Sequence, residues 1–396
     1  MLDFTLSKEQ EAFRDYVHQI ALEEMRPVSL ECDRTETIPE AFFWQMQKRL
    51  RGGADGQARQ WIAEGKAAPG QEQLLSMLGY EELAWGDAAL ATALPGPGLA
   101  YPPLMAFGTV EQQQRFLSLY EDDGLHWGAL ALTEPGCGSD VSAIATTARR
   151  EGNAWVLNGQ KQFITNGARA DLIITFATVN KAAGRGGLLP FVVPGGTPGL
   201  KVGRIEKKMG LRASQTAELL YEECRIPEDH LLGALLHAGR AGFKAAMRTL
   251  DATRPMVGAL AVGLARAAHE EVTQWLKEEL PASYSLQKRR ELLEQAEELG
   301  YEIQMARLLV WRAAWMADRA LANSKEASMC KAYAGELVMK VTTFAARVVA
   351  SGEMTEARLL LEKWFRDAKI FDIFEGTAQI QRLVIARRLF PEVTIP

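Results

Sequence analysis

Apolar and polar positions change period twice along this chain. Over roughly the first 120 residues the apolar positions fall at helical spacing: Phe13, Val17, Ile20 and Met25 follow one another by about a turn. Ser7 and Gln10 open that run as an S-x-x-Q capping box. Residues 71–86, QEQLLSMLGYEELAWG, predict a second helix. Between the two, residues 51–70 hold five glycines and little periodicity, which predicts a loop, and PGPG at 95–98 predicts another break. Near residue 127 the pattern shifts to short apolar runs separated by turn residues. Trp155-Val156-Leu157 and Phe163-Ile164-Thr165 flank Asn158-Gly159, a hairpin signal. Leu172–Phe176 and Leu188–Val193 predict further strands, and the block closes near Ile226-Pro227. From Gly239 helical spacing returns, over about 241–279, 286–323, 325–350 and 359–370, with a last segment after Gly376. Short connections favour antiparallel packing in a bundle. The fold class is mainly α with a middle β domain: an N-terminal helical domain over 1–125, a β domain over 126–232 and a C-terminal helical bundle over 233–396.

Composition narrows the function classes. The chain has 396 residues, 47% hydrophobic and 24% charged, as a soluble globular protein of two or three domains would. Its net charge of -5 gives no electrostatic reason to expect nucleic acid. No run of about 20 apolar residues is present to span a membrane. The start, MLDFTLSKEQEAF, lacks the basic head and apolar block of a secretory signal. Cys32, Cys137, Cys224 and Cys330 lie far apart and suit reduced thiols in the cytoplasm. The five histidines show no metal-ligand spacing, so no metal centre is expected.

Three stretches carry candidate chemistry. TEPGCGSD, Thr133 to Asp140, combines glycines, hydroxyls and a proline after an apolar segment. It reads either as a turn-rich loop or as one that turns N–H groups and hydroxyls towards a polar ligand. It is not a GxGxxG fingerprint, and no Walker-type lysine loop occurs. In DATRP, Arg254 precedes Pro255, an awkward order for a helix interior. Asp251 and Arg254 read there as surface charges at a helix start. Glu375, in FDIFEGTAQIQR, is either an acid favoured by a helix dipole or a base awaiting a proton. The glycine that follows lets another molecule come close.

Five stretches in one order add a resemblance. TEPGCGSD, NGQKQFITNGARAD from 158, KKMGLRASQTAEL from 207, LDATRPMVGALAVG from 250 and IFEGTAQIQR from 373 resemble the acyl-CoA dehydrogenase family, in its short- and medium-chain branch. The likeness spans nearly the whole chain. It implies an N-terminal helical domain, a β-barrel-like middle domain and a C-terminal four-helix bundle, assembled as a homotetramer or homodimer. It also implies FAD as cofactor, an acyl-CoA thioester as substrate and an electron-transfer flavoprotein as electron acceptor.

Site residues follow by motif position. Glu375 matches the family's base, which removes the α-proton of the thioester, and Gly376 lets the backbone N–H approach the substrate. Thr133, Ser139, Phe163, Thr165, Thr377 and Gln379 match FAD contacts, with Ser139 also near the acyl-CoA. Asp251 and Arg254 match positions along the CoA moiety. Family branches whose base lies on the earlier helix carry Glu where this chain has Thr253. The PGPGLAYPPL stretch at 95–104 stands near the family's acyl pocket and suits a branched, cyclic or aromatic acyl group.

Three family elements are missing. The P-E-x-Y-G-G loop should fall within 51–70, the R-x-x-F-G element within 275–300, and the G-G-x-G element reads Ala350-Ser-Gly-Glu-Met354. Two of them reach the FAD pyrophosphate and adenosine of a neighbouring subunit in the family. Arg347, where the family has a glutamine, reads equally as a replacement FAD contact or as a solvated helix face. Arg289 and Arg290 are lesser candidates. Two readings result: a working dehydrogenase with an altered cofactor interface, or a catalytically weak subunit that scaffolds a partner within a heteromer and holds FAD poorly or not at all.

Overall fold

The computed structural model describes residues 5–50, 71–233, 241–280, 283–350 and 355–392, and among 241–248 only the side chain of Met247. The expected loop at 51–70 and Glu353 lie outside the described residues. The chain begins with helix Lys8–Ile20, whose Ser7 and Gln10 form the anticipated capping box. The second strong helix runs over Glu72–Ala93 and bends at Asp87, whose side chain accepts from Leu90 N and restarts the helix as an internal cap. Two short helices, Tyr101–Phe107 and Val110–Leu117, then lead into the sheet.

Seven strands make one sheet: β1 (Gly128–Ala131), β2 (Thr147–Glu151), β3 (Ala154–Thr165), β4 (Leu172–Thr178), β5 (Leu188–Pro194), β6 (Leu200–Ile205) and β7 (Thr216–Pro227). The order is β1-β4-β2-β3-β7-β6, with β5 also on β4. Strand β1 lies parallel to β4, while β5 pairs with β4 antiparallel over its whole length. Both LIITFAT and LLPFVVP are buried along nearly their whole length and mostly apolar, because both their faces are covered. Ile173, Phe191 and Val193 face the core of the β domain. Leu172, Ile174 and Val192 face Leu104, Phe107 and Phe116 of the two short helices.

The expected hairpin at Asn158-Gly159 does not form. Strand β3 runs straight through it, and the pairing with β7 shifts register there. Asn158 fills the bulge with its own side chain, accepting from Glu223 N at 2.9 Å. Gly159 has φ 150, and a Cβ there would lie 2.5 Å from Thr146 Oγ1. The glycine thus answers a close strand approach rather than a turn. The turn itself falls earlier, at Gly152 (φ 62), between β2 and β3.

The C-terminal bundle consists of Ala241–Glu278, Leu286–Asp318, Ser324–Val349 and Glu356–Ala368, followed by a terminal helix, Ala378–Leu389. The second bundle helix stops at Asp318, five residues before the anticipated end, where Ala320 takes φ 52. The helix Glu72–Ala93 packs into the bundle through buried charge: Arg266 donates to Glu81 and Glu82, and Arg307 to Glu81. Burial alone would raise the Glu82 carboxyl, but Arg266 and His18 hold it at about 2. The four cysteines are buried and free. Among the described residues no helix is long and apolar enough to cross a membrane, and no metal-ligand cluster occurs.

Candidate active site

One half of the site is built on the bundle. A single-turn segment, Lys369–Asp372, leads into Phe374, Glu375 and Gly376 before the terminal helix begins. Glu375 has φ 55 and Gly376 φ 94, two left-handed residues in succession. For a glutamate this backbone is strained, at a cost of order 1–3 kcal/mol, so its surroundings must hold it. Gln381, one turn into the terminal helix, donates to the Glu375 and Gly376 carbonyls at 3.0 and 3.1 Å. Lys331 of the third bundle helix donates to the Gly376 carbonyl at 2.6 Å. Thr377 caps the terminal helix by accepting from Ile380 N at 3.4 Å, and its hydroxyl hydrogen stays available to donate.

The Glu375 carboxylate meets the first bundle helix. Thr253 Oγ1 donates to Glu375 Oε2 at 2.6 Å. Among the described residues Oε1 receives no hydrogen bond. Burial pushes the carboxyl above the ordinary glutamate range; the Thr253 hydrogen bond and the charges of Arg254 and Lys331 pull the other way and do not overcome it. The first helix keeps going through Pro255, contrary to the helix start expected near Asp251. Arg254 is therefore no surface charge. It is buried, donating through Nη1 to Asp251 at 2.7 Å and to Ser328 at 3.4 Å, while its Nε has no partner among the described residues. Asp251, half-buried, also accepts from Ser324 at 3.1 Å. Gln379 is exposed.

Four of the residues that the resemblance assigns to FAD, Thr133, Ser139, Phe163 and Thr165, lie in the sheet and its loops. Glu134, in the TEPGCGSD loop, is buried with Lys161 Nζ at 2.7 Å and accepts from the backbone of Ala145 and Thr146. Thr133 is tied to β3 through its carbonyl, which accepts from Gln162 N at 2.9 Å. Two residues apart on a regular strand, Lys161 and Phe163 would share a face. Instead Lys161 is 0% exposed and Phe163 58%. The register shift between Lys161 and Ile164, with φ 61 at Phe163, turns the ring outward. Thr165 follows it, half-buried, and Ser139 is exposed at the loop's end.

A buried lock centres on the fourth bundle helix. Lys363 Nζ reaches Asp87 at 2.7 Å and Asp367 at 2.6 Å, and Asp367 accepts from Leu211 N at 2.5 Å. Ser29 donates to Asp87. The N-terminal helices, the 207–213 loop and the bundle thus meet on one lysine. A Cβ at Gly210 would lie 2.2 Å from the Arg366 carbonyl, which explains the glycine in KKMGLRAS.

Arg347 is exposed near the end of the third bundle helix and forms no ion pair among the described residues. It lies about 24 Å along that helix from Lys331. Arg289 donates to the Tyr284 carbonyl and Arg290 pairs with Glu294, both outside this cleft. Sequence reasoning missed Lys331, Gln381 and the Glu134–Lys161 pair. The signal for Lys331 was a lysine set in the apolar stripe Ala327, Cys330, Ala334, Val338.

Family models match the chain in order: acyl-CoA dehydrogenase N-terminal domain over residues 7–120, middle domain over 129–224 and C-terminal domain over 240–390. The mouse mitochondrial short-chain specific acyl-CoA dehydrogenase is 34% identical over 97% of this chain and 90% of its own. The structure of butyryl-CoA dehydrogenase from Megasphaera elsdenii superposes with a TM-score of 0.86 at 31% identity, over 98% of this chain and 100% of that one. A chain from a structure of the electron transferring flavoprotein of Acidaminococcus fermentans gives 0.87 at 34% identity, over 98% and 99%. With all three domain models matched and relatives a third identical over nearly its full length, the chain belongs to the acyl-CoA dehydrogenase family.

Proposed function

We propose that this protein dehydrogenates a short acyl-CoA thioester at its α,β-bond, with Glu375 taking the α-proton. The observation that carries the reading is the Glu375 carboxylate. It is half-buried, raised in pKa, fixed through Oε2 by Thr253, and left with Oε1 open to receive a proton. A base tuned upward by burial sits nearer the operating pH and is the better proton acceptor. Gln381 takes up both carbonyls of the left-handed Glu375–Gly376 step and Lys331 the second, and the backbone N–H groups of that step would serve the thioester oxygen. Such N–H groups stabilise charge that develops on a thioester oxygen.

The family is FAD-dependent. The sheet half suits that group: an outward aromatic at Phe163 and neutral hydroxyls at Thr133, Ser139 and Thr165 fit a flat ring edged with carbonyls and nitrogens. These residues would hold its ring portion, with Thr377, Gln379 and Arg347 as further contacts. Bound FAD supplies the acceptor for the β-hydrogen and its electron pair. Arg254, by contrast, is buried against Asp251 and Ser328, so of the two it is half-buried Asp251 that keeps an edge to offer CoA.

An electron-transferring flavoprotein as acceptor accords with the Acidaminococcus similarity. A homo-oligomer accords with exposed Leu286, Leu293, Tyr301, Met305 and Trp315 on the second bundle helix. Free, buried thiols accord with a cytoplasmic location. Relatives named for short chains favour a short acyl group over the branched, cyclic or aromatic one. The formed base loop weighs against an inactive scaffold. Anaerobic addition of butyryl-CoA to the FAD-loaded protein is expected to bleach the flavin absorbance, faster than octanoyl-CoA or phenylpropionyl-CoA does. Protein that takes up no FAD, or FAD that stays yellow with all three esters, overturns the reading.

A further inference from the structure

The third bundle helix carries a fully buried cation whose one visible task is the loop of the base. Lys331 is 1% exposed, and its Nζ lies 2.6 Å from the Gly376 carbonyl. One turn on, Gly335 lets the Phe371 carbonyl within 2.5 Å of where a Cβ would stand. Lys331 and Gly335 are i and i+4, so one helix face presents both the anchor and the gap that seat residues 371–376. Burying an ammonium group is costly unless it is paired. A backbone carbonyl alone would be poor compensation.

The charged groups facing Lys331 are Asp372 and Glu375 from the loop and Arg254 from the first bundle helix. Asp372 is itself paired with Lys369 at 3.1 Å, and Arg254 with Asp251. Glu375 is the partly exposed carboxylate that no charged side chain contacts directly among the described residues. Burial pulls the lysine down to about 8 and pushes Glu375 up, while each charge steadies the other. Gln381 shares the Gly376 carbonyl but brings no charge.

We propose that Lys331 is a positioning residue for the base: it anchors the Gly376 carbonyl, so holding the left-handed Glu375 step, and its charge favours the carboxylate form of Glu375. This rests on the reading of Glu375 as base. Lys331 touches neither substrate nor cofactor in that reading and acts only through the loop.

The test is the pH dependence of flavin reduction by butyryl-CoA in FAD-loaded protein, measured in single turnover. Glu375 must be ionised to accept a proton, so the rate falls on the acid side. Lys331→Gln keeps a hydrogen-bond donor without the charge. Its acid limb is expected to move up by about one pH unit, the lower end of what a nearby opposite charge does. Lys331→Met loses anchor and charge, and is expected to show that same displacement plus a plateau rate lowered about tenfold or more. Lys331→Arg restores the charge and returns the limb towards that of the unaltered protein. Flavin absorbance and melting temperature report whether each variant is folded and loaded. Should Lys331→Met be unstable, Lys331→Gln alone decides. An acid limb identical in all three variants and the unaltered protein overturns the proposal, as does a limb that moves equally in Lys331→Arg and Lys331→Gln. Failure of the unaltered protein to reduce its flavin would instead strike the assignment of the base.

Discussion

Glu375→Gln reduces its flavin with butyryl-CoA about 10³-fold more slowly than the unaltered protein while binding FAD equally well. The substitution changes one oxygen to an NH₂ group and keeps the side chain's size. Thr253 can still donate to the remaining amide oxygen, so the loop keeps its shape. What is lost is the lone pair that takes the proton. The nearest replacement, Thr253, has no basicity at neutral pH, and Arg254 and Lys331 are cations. Stopped-flow bleaching measures the rate, and the flavin spectrum measures loading. A bleaching rate within a few-fold of the unaltered protein places the proton on another group.

The second large effect is on stability. Lys363→Met is expected to destabilise the protein by about 3–5 kcal/mol, because it leaves Asp87 and Asp367 buried without their cation. Burial opposes the charge on Lys363, yet the two carboxylates raise its pKa well above that of a free lysine. Asp367 is already pushed up by burial, against the pull of Lys363. In the variant that pull disappears and its folded-state pKa rises further above the unfolded one. An acid with a raised folded pKa penalises folding most where it would be ionised, at higher pH. The deficit should therefore shrink as pH falls and the carboxyl takes a proton. Denaturant titrations at neutral and mildly acid pH read both numbers. A deficit under about 1 kcal/mol, or one that grows towards acid pH, means that the lysine is dispensable. The same variant is expected to lose FAD more readily, since the lock joins the sheet to the bundle through Leu211.

The architecture was legible because its periods are long and plain. Five helical segments after Gly239 follow from apolar spacing alone, and a mostly apolar run such as LIITFAT marks a strand covered on both faces. Two features misled for local reasons. Asn158-Gly159 has turn chemistry, but the demand there was close approach to Thr146 inside a continuous strand. Arg254 before Pro255 looked like a helix boundary, yet flanking bundle contacts carry the helix through the proline and bury the arginine. Propensity loses to packing in both places.

The site was legible only in part. Glu375 stood out because of the glycine beside it, and the resemblance gave it a task. Its strain and its bond to Thr253 depend on how separate helices meet, which spacing does not encode. Lys331 lies 44 residues before Glu375 in the chain, and Gln381 was hidden among ordinary helix residues. Phe163 was placed by resemblance, but the reason it faces outward is a bulge that no pattern of alternation would predict.

The hydrogen on C2 of the substrate decides the central claim. In deuterium oxide, FAD-loaded protein is mixed with 3-thiabutyryl-CoA, whose sulfur replaces the β-carbon so that no dehydrogenation can follow. Mass spectrometry or proton NMR then reads deuterium entering C2. The unaltered protein is expected to catalyse that exchange, and Glu375→Gln to do so at about a thousandth of the rate. Exchange at the same rate in both proteins would contradict the account, since some group other than Glu375 would then be moving the proton.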